Sequence, residues 1–259
     1  MLKDHEILAL RCYEGDVGSA GDPFWSDPKM YVTWNAILFD GIVTEQARTA
    51  EKRRLNPSFL EDDERFLDLN RALIDALRRM PKNGIRRAYR VERLADYRVM
   101  KEQGSLPSFI STSTGGFLNS YTDKKQLVLM EFEIMPETIY GELGVLLDSY
   151  AKQEEAEILL APYQTVTIEE KPLPSHLAGI RDACGDEPAV YCHVRTGTVI
   201  RSGLNSVPEK VYDKEACRHV FAALNAERQP DSQDVQEYLA WKRYIQAQVL
   251  RMMQGEDNE

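Results

Sequence analysis

The hydrophobic period changes once along this 259-residue chain, near residue 85, and that change restricts the fold class more than any other feature. Before it, Phe66, Leu69, Leu73, Leu77 and Met80 recur at spacings of three and four, as on a helix with one buried stripe. Ser58 and Glu61 form an S-x-x-E capping box ahead of that run, and Pro81 and Gly84 end it. After it, residues 127–134 alternate, with Val128, Met130, Phe132 and Ile134 on one face of a strand. Residues 86–91, 109–113, 157–161 and 165–169 read as further strands, with Pro162 between the last two. Helices first and strands afterwards predict an α+β domain with a mostly antiparallel mixed sheet.

The two ends are less regular. Residues 1–26 hold little period and several turn formers, Gly15, Gly18, Gly21 and Pro23 among them. Asp27 and Pro28 read as the N-cap and first position of a helix through Tyr31, Trp34 and Leu38 toward Gly41. A more polar helix is expected over residues 44–54. Past Lys171, Pro172 and Pro174 suggest a linker, and residues 191–194 and 198–200 a hairpin around Gly197. Two helices, over residues 213–226 and 232–253, close the chain. The last has Tyr238, Trp241, Ile245, Val249 and Met252 on one stripe and must dock against a neighbour. The expected division is a principal domain over residues 1–170 and an extension over 171–259 packed on it.

A net charge of −10 argues against a surface that neutralises nucleic-acid phosphates, which needs clustered Lys and Arg. No run of about twenty apolar residues is present to span a bilayer. Residues 1–15 lack the apolar stretch and cleavage site of a signal peptide. A cytoplasmic protein is expected, with export by a leaderless route left open. Cys12, Cys184, Cys192 and Cys217 are scattered without a C-x-x-C pair, so reduced thiols are expected. Cys192 and His193 would point to opposite faces of a strand, and His5, His176 and His219 have no ligand spacing, so no metal site is expected.

Three short segments carry chemistry. Arg90, in the first strand, is a fixed planar donor suited to phosphate or ribose oxygens. Taken singly, an edge-strand arginine in a salt bridge is the plainer reading. Ser111, Thr112 and Ser113 supply hydroxyls at a strand end, where turn chemistry is the plain alternative. A serine nucleophile is disfavoured, because no G-x-S-x-G elbow is present and no histidine lies in the next sixty residues. Gly115, Gly116 and Phe117 follow as a flexible loop with one aromatic ring. Glu155 and Glu157, two apart at the start of a strand, present their carboxylates on one face. Such a pair suits glycosidic chemistry, one acid stabilising an oxocarbenium-like sugar and the other handling the nucleophile. With Glu154 adjoining, a solvated acidic loop is the plain reading.

The ordered set changes the balance. Tyr89 and Arg90, then Phe109, Ile110, Ser111, Thr112 and Ser113, then Glu155 and Glu157 before Ile158, Leu159, Leu160 and Pro162, resemble the R-S-E class of mono-ADP-ribosyltransferases. That class includes cholera-toxin-like and C2/C3-like bacterial toxins and the vertebrate arginine-specific ecto-enzymes. The resemblance covers residues 31–170; residues 171–259 have no counterpart in it. It implies an ADP-ribosyltransferase fold, with N-terminal helices packed on a split, mostly antiparallel β-core and a C-terminal helical addition. Residues 1–170 would then be the catalytic domain.

By the same resemblance, NAD+ is the co-substrate, no metal takes part, and ADP-ribose passes to an acceptor protein, to an arginine in the arginine-specific members. Arg90 anchors the diphosphate and ribose. Ser111, with Thr112 and Ser113, buttresses the site and positions Glu157, which binds the nicotinamide ribose and stabilises the cationic transition state. Phe117 covers the nicotinamide ring. Glu155 stands where arginine-modifying members have Glu, and Ser149 and Tyr150 fall in the acceptor-recognition turn. The family's arginine is usually followed by glycine, whose backbone holds the nicotinamide amide. Val91 stands there in this chain, with a side chain able to crowd the ring. A bacterial effector or toxin is implied. The same site can run as an NAD glycohydrolase with water as acceptor, or persist in an inactive binding module.

Overall fold

The structure, a computed structural model, describes residues 2–14, 30–39, 55–115, 127–143, 157–175, 190–201 and 210–255. Its helices are α1 (Asp4–Glu14), α2 (Met30–Leu38), α3 (Ser58–Glu61), α4 (Asp63–Arg79), α5 (Leu94–Gln103), α6 (Lys214–Asn225) and α7 (Ser232–Gln254). Its strands are β1 (Arg87–Arg93), β2 (Ile110–Ser113), β3 (Leu127–Glu133), β4 (Tyr140–Glu142), β5 (Glu157–Leu160), β6 (Gln164–Lys171) and β7 (Val190–Val199). The α+β expectation holds. The helix expected over residues 44–54, and the start at Asp27 and Pro28, lie outside the described residues. No described helix is long and apolar enough to cross a membrane, and no group of metal-ligating side chains occurs among the described residues.

The chain divides into two compact units, Met1–Arg79 with Arg201–Glu259, and Met80–Ile200. This differs from the division expected at residue 170, for two reasons. β7 lies inside the sheet, between β3 and β6, so the strands continue past that point. The C-terminal helices share a core with the N-terminal ones, α7 packing on α2, α4 and α6.

In the helical unit the stripe of α7 is buried as expected, from Tyr238 and Trp241 through Ile245 and Val249 to Met252. Trp34 forms a second centre, with ring centroids 5.6 Å from Tyr13 and 5.5 Å from Phe66. Its Nε1 donates to Asn70 Oδ1 at 2.8 Å, which satisfies a donor that would otherwise be orphaned in the core. The expected capping box does not form. Ser58 is the first residue of the one-turn helix α3, and its N–H donates to Asn56 Oδ1. Asp62 caps α4 instead, accepting from the Arg65 N–H at 3.0 Å. Residues 4–14, read as irregular, form α1. Its buried face includes Glu6, whose carboxylate meets Arg79 at 3.1 Å and the Lys3 N–H at 2.8 Å.

The second unit is one sheet in the order β4-β5-β2-β1-β3-β7-β6, antiparallel except where β3 runs parallel to β7. β1 and β3 stay in register from Arg87↔Glu133 to Arg93↔Leu127. β1 and β2 meet at one registered pair, Tyr89↔Ser113. The sheet is therefore split in practice into β4-β5-β2 and β1-β3-β7-β6, joined at that point. The two edges are drawn together by the buried Gln164 side chain, which accepts from the Ile139 N–H at 2.6 Å and donates to Ala161 O at 2.8 Å.

Val128, Met130, Phe132 and Ile134 share one face, as expected, in a cluster with Ala88, Ile158, Leu160, Cys192 and Val194. Tyr97 and Met100 of α5 complete that cluster, so α5 covers this face. The hairpin expected around Gly197 is instead the single strand β7. A Cβ at residue 197 would collide with Thr165 Oγ1, so this glycine marks close approach of β6 and not a turn.

Candidate functional site

Arg90 lies two residues after Ala88 on β1, and its side chain keeps 21% exposure. Its Nε donates to Glu92 Oε2 at 2.6 Å, and its Nη1 donates to the Ser111 carbonyl at 2.7 Å. The second contact spans the seam where β1 leaves β2, just past the pair Tyr89↔Ser113. The guanidinium thus lies across the split in the sheet, at the Ser111 backbone carbonyl.

β2 and β5 are in register from Ile110↔Leu160 to Ser113↔Glu157. Side chains directly opposite in an antiparallel pair share a face. Glu157 and Ser113 are therefore neighbours, with Tyr89 next in the row, and Ser111 lies one pleat further along the same face. The register puts Ser113, and not Ser111, beside the glutamate. Glu157 is half-buried, Ser113 is buried, and Ser113 Oγ accepts from the Gly115 N–H at 3.1 Å. Thr112 points to the other face, where its hydroxyl donates to Ile158 O at 2.9 Å. That hydroxyl ties β2 to the residue after Glu157. Phe117, Ser149, Tyr150 and Glu155 lie outside the described residues.

The carrier of Glu157 is held firmly. Ile158, Leu159 and Leu160 are all buried. The outer neighbour β4 is clasped by Lys82, whose Nζ donates to Tyr140 O at 2.7 Å and lies 3.6 Å from the Tyr140 ring centroid. Burial pushes the Lys82 amine down to about 8, with Glu142 opposing the shift. Glu142 in turn accepts from Asn83 Nδ2 at 2.7 Å.

Val91, two residues from Tyr89, lies on the side opposite Arg90, which is the face of Tyr89, Ser113 and Glu157. It is buried there with Leu127, Leu129 and Tyr191, with Leu173 against them, in a small cluster. The side chain is thus committed to packing. Val91→Gly should lose its buried surface and add strand-interior backbone freedom, about 3 kcal/mol together. A urea melt showing a loss below about 1 kcal/mol would contradict that role.

Glu92 went unnoticed in the sequence because an acid beside an arginine on a strand resembles any surface pair. Its signal is the i, i+2 spacing, which puts it on the face of Arg90.

No protein-family model and no curated protein matches the chain. Among solved structures it is similar to the ADP-ribosylating toxin BECa of a binary enterotoxin of C. perfringens, with NADH, at 13% identity and a TM-score of 0.47. The alignment covers 75% of this chain and 44% of that one, so this chain spans less than half of that toxin's length. It is also similar to the catalytic domain of VahC from Aeromonas hydrophila (18% identity, TM-score 0.44, 76% and 100% covered). A third is the Salmonella SpvB ATR domain (18%, 0.45, 75% and 99%). These likenesses are remote, and the functional reading below rests on the chain's own residues.

Proposed function

We propose that this chain is an NAD-dependent protein mono-ADP-ribosyltransferase that modifies arginine side chains, acting as a bacterial effector or toxin. The observation that carries the reading is the seam. A fixed guanidinium lies across the split between β1 and β2, and Glu157 stands opposite Ser113 on the adjoining strand. Arg90 is a donor for the diphosphate of NAD. The C1′–nitrogen bond of the nicotinamide ribose breaks with its electron pair leaving on nicotinamide, and the Glu157 carboxylate stabilises the oxocarbenium-like sugar. Ser111 and Ser113 offer hydroxyls on the face of Glu157, and Arg90, next to Tyr89 on β1, reaches the seam from the other face. A guanidinium nitrogen of the acceptor then attacks C1′, and its proton passes to Glu155. That residue is needed because a free guanidinium is protonated at any working pH.

Labelled NAD with a cell lysate tests this. Wild type should transfer label to protein, whereas Glu155→Ala should lose transfer at least tenfold more than it loses nicotinamide release. Equal loss of both would overturn the division of roles. Nicotinamide release by wild type without protein labelling would make the chain a glycohydrolase. No release and no binding of NAD would leave a binding module.

A further inference from the structure

Glu92 is a buried acid in direct contact with Arg90 that the reading above does not use. We propose that Glu92 is the positioning residue of the dinucleotide site, holding the Arg90 guanidinium across the seam of the split sheet in the orientation that meets a diphosphate. The inference rests on the transferase reading and deepens it. Arg90 and Glu92 are two apart on β1 and so share a face. The Glu92 side chain is 9% exposed and meets Arg90 Nε at 2.6 Å. A carboxylate that far from solvent is retained only when its oxygens are satisfied, and both are. Oε2 takes the guanidinium, and Oε1 accepts from the Arg93 N–H at 3.0 Å.

That second bond sets the geometry. Arg93 is the N-cap residue of α5, so the carboxylate is fixed to backbone where strand turns into helix. α5 in turn is anchored by Tyr97 and Met100 in the main core of the sheet unit. A chain of contacts therefore runs from the core through α5 and the Arg93 N–H to Glu92, and from Glu92 to Arg90. Nε on Glu92 and Nη1 on Ser111 O restrain the guanidinium from two directions, which defines its plane. Without Glu92 the guanidinium loses one of these two restraints, and its long side chain carries large rotamer freedom. Small misplacements of a binding group cost rate and affinity steeply.

Charge acts in the opposite sense. Glu92 partly neutralises Arg90, and an extra anion beside a diphosphate weakens its binding. The two effects separate by substitution. Glu92→Gln removes the charge and keeps one acceptor oxygen, for Arg90 Nε or the Arg93 N–H but not both, whereas Glu92→Ala removes the charge and both acceptors.

NAD affinity by titration, and KM and kcat for nicotinamide release, should be measured on wild type, Glu92→Ala and Glu92→Gln, with thermal melts alongside. Glu92→Ala should raise Kd and KM for NAD about tenfold, with kcat within about threefold. Glu92→Gln should recover part of that loss, with both constants between those of wild type and Glu92→Ala. NAD binding tighter than wild type in either variant would show that charge and not orientation matters, and would overturn the proposal. So would wild-type constants in Glu92→Ala, or a fall confined to kcat. If Glu92→Ala does not fold, the glutamine variant alone decides by the same criterion. A wild type that neither binds NAD nor releases nicotinamide overturns the transferase reading, and this proposal with it.

Discussion

Replacing Glu157 by alanine is expected to lower nicotinamide release about 10²- to 10³-fold, while NAD affinity stays within a few-fold of wild type. The carboxylate faces no positive sugar in the ground state, so its interaction grows as the nicotinamide bond stretches and counts mainly toward the barrier. The fold should tolerate the change. Glu157 is the first, half-buried residue of β5, and the strand is held by buried Ile158, Leu159 and Leu160 and by the Thr112 hydroxyl on Ile158 O. Nicotinamide release followed by chromatography, with an NAD titration and a melt on the same preparation, separates the possibilities. Activity within tenfold of wild type would remove Glu157 from the chemistry. A parallel collapse of melting temperature would mean that the residue is structural.

How much of this was legible beforehand depends on whether the determining partner is near in sequence. The α4 stripe and the alternation of β3 are local, and both elements form where the periods placed them. α5 was equally local in principle: Leu94, Tyr97 and Met100 recur at three, and Gly104 closes the helix in the left-handed region at φ 63°. Ten residues between two strands offered too short a period to stand out. α1 was hidden for a different reason. Its buried face includes Glu6, an acid whose ion pair is with Arg79, far off in sequence on α4. Gly197 reads as a turn until β6 is placed beside it. The site divides the same way. Arg90 and the hydroxyl run were visible as residue types, but register is not written in either strand. Whether Ser111 or Ser113 faces Glu157 follows from the pairing of β2 with β5. The role of Glu92 follows from the seam that Arg90 spans.

The largest effect on stability is expected at Asp63, where α4 begins. Its carboxylate is almost wholly buried yet serves four donors. Oδ1 accepts from Trp241 Nε1 at 3.0 Å, and Oδ2 takes the Tyr212 hydroxyl and lies 3.5 Å from Lys210 Nζ and 3.4 Å from Lys214 Nζ. Burial and the adjacent carboxylate both raise the Tyr212 hydroxyl above its usual pKa, so it stays a donor throughout the neutral range. Asp63→Ala strands the indole N–H and the hydroxyl without an acceptor and takes from Lys210 and Lys214 the carboxylate that they share. Breaking a buried charge cluster from one side costs about 3–5 kcal/mol. The two lysines are partly exposed and can turn to water, so most of the loss should come from Trp241 and Tyr212. A double-mutant cycle with Tyr212→Phe makes this measurable by urea unfolding. The hydroxyl should cost much less to remove once Asp63 is gone, giving a coupling of at least about 1 kcal/mol. Additive losses would show that Asp63 acts through the helix start and its lysines, and that the short contact to Tyr212 contributes nothing of its own.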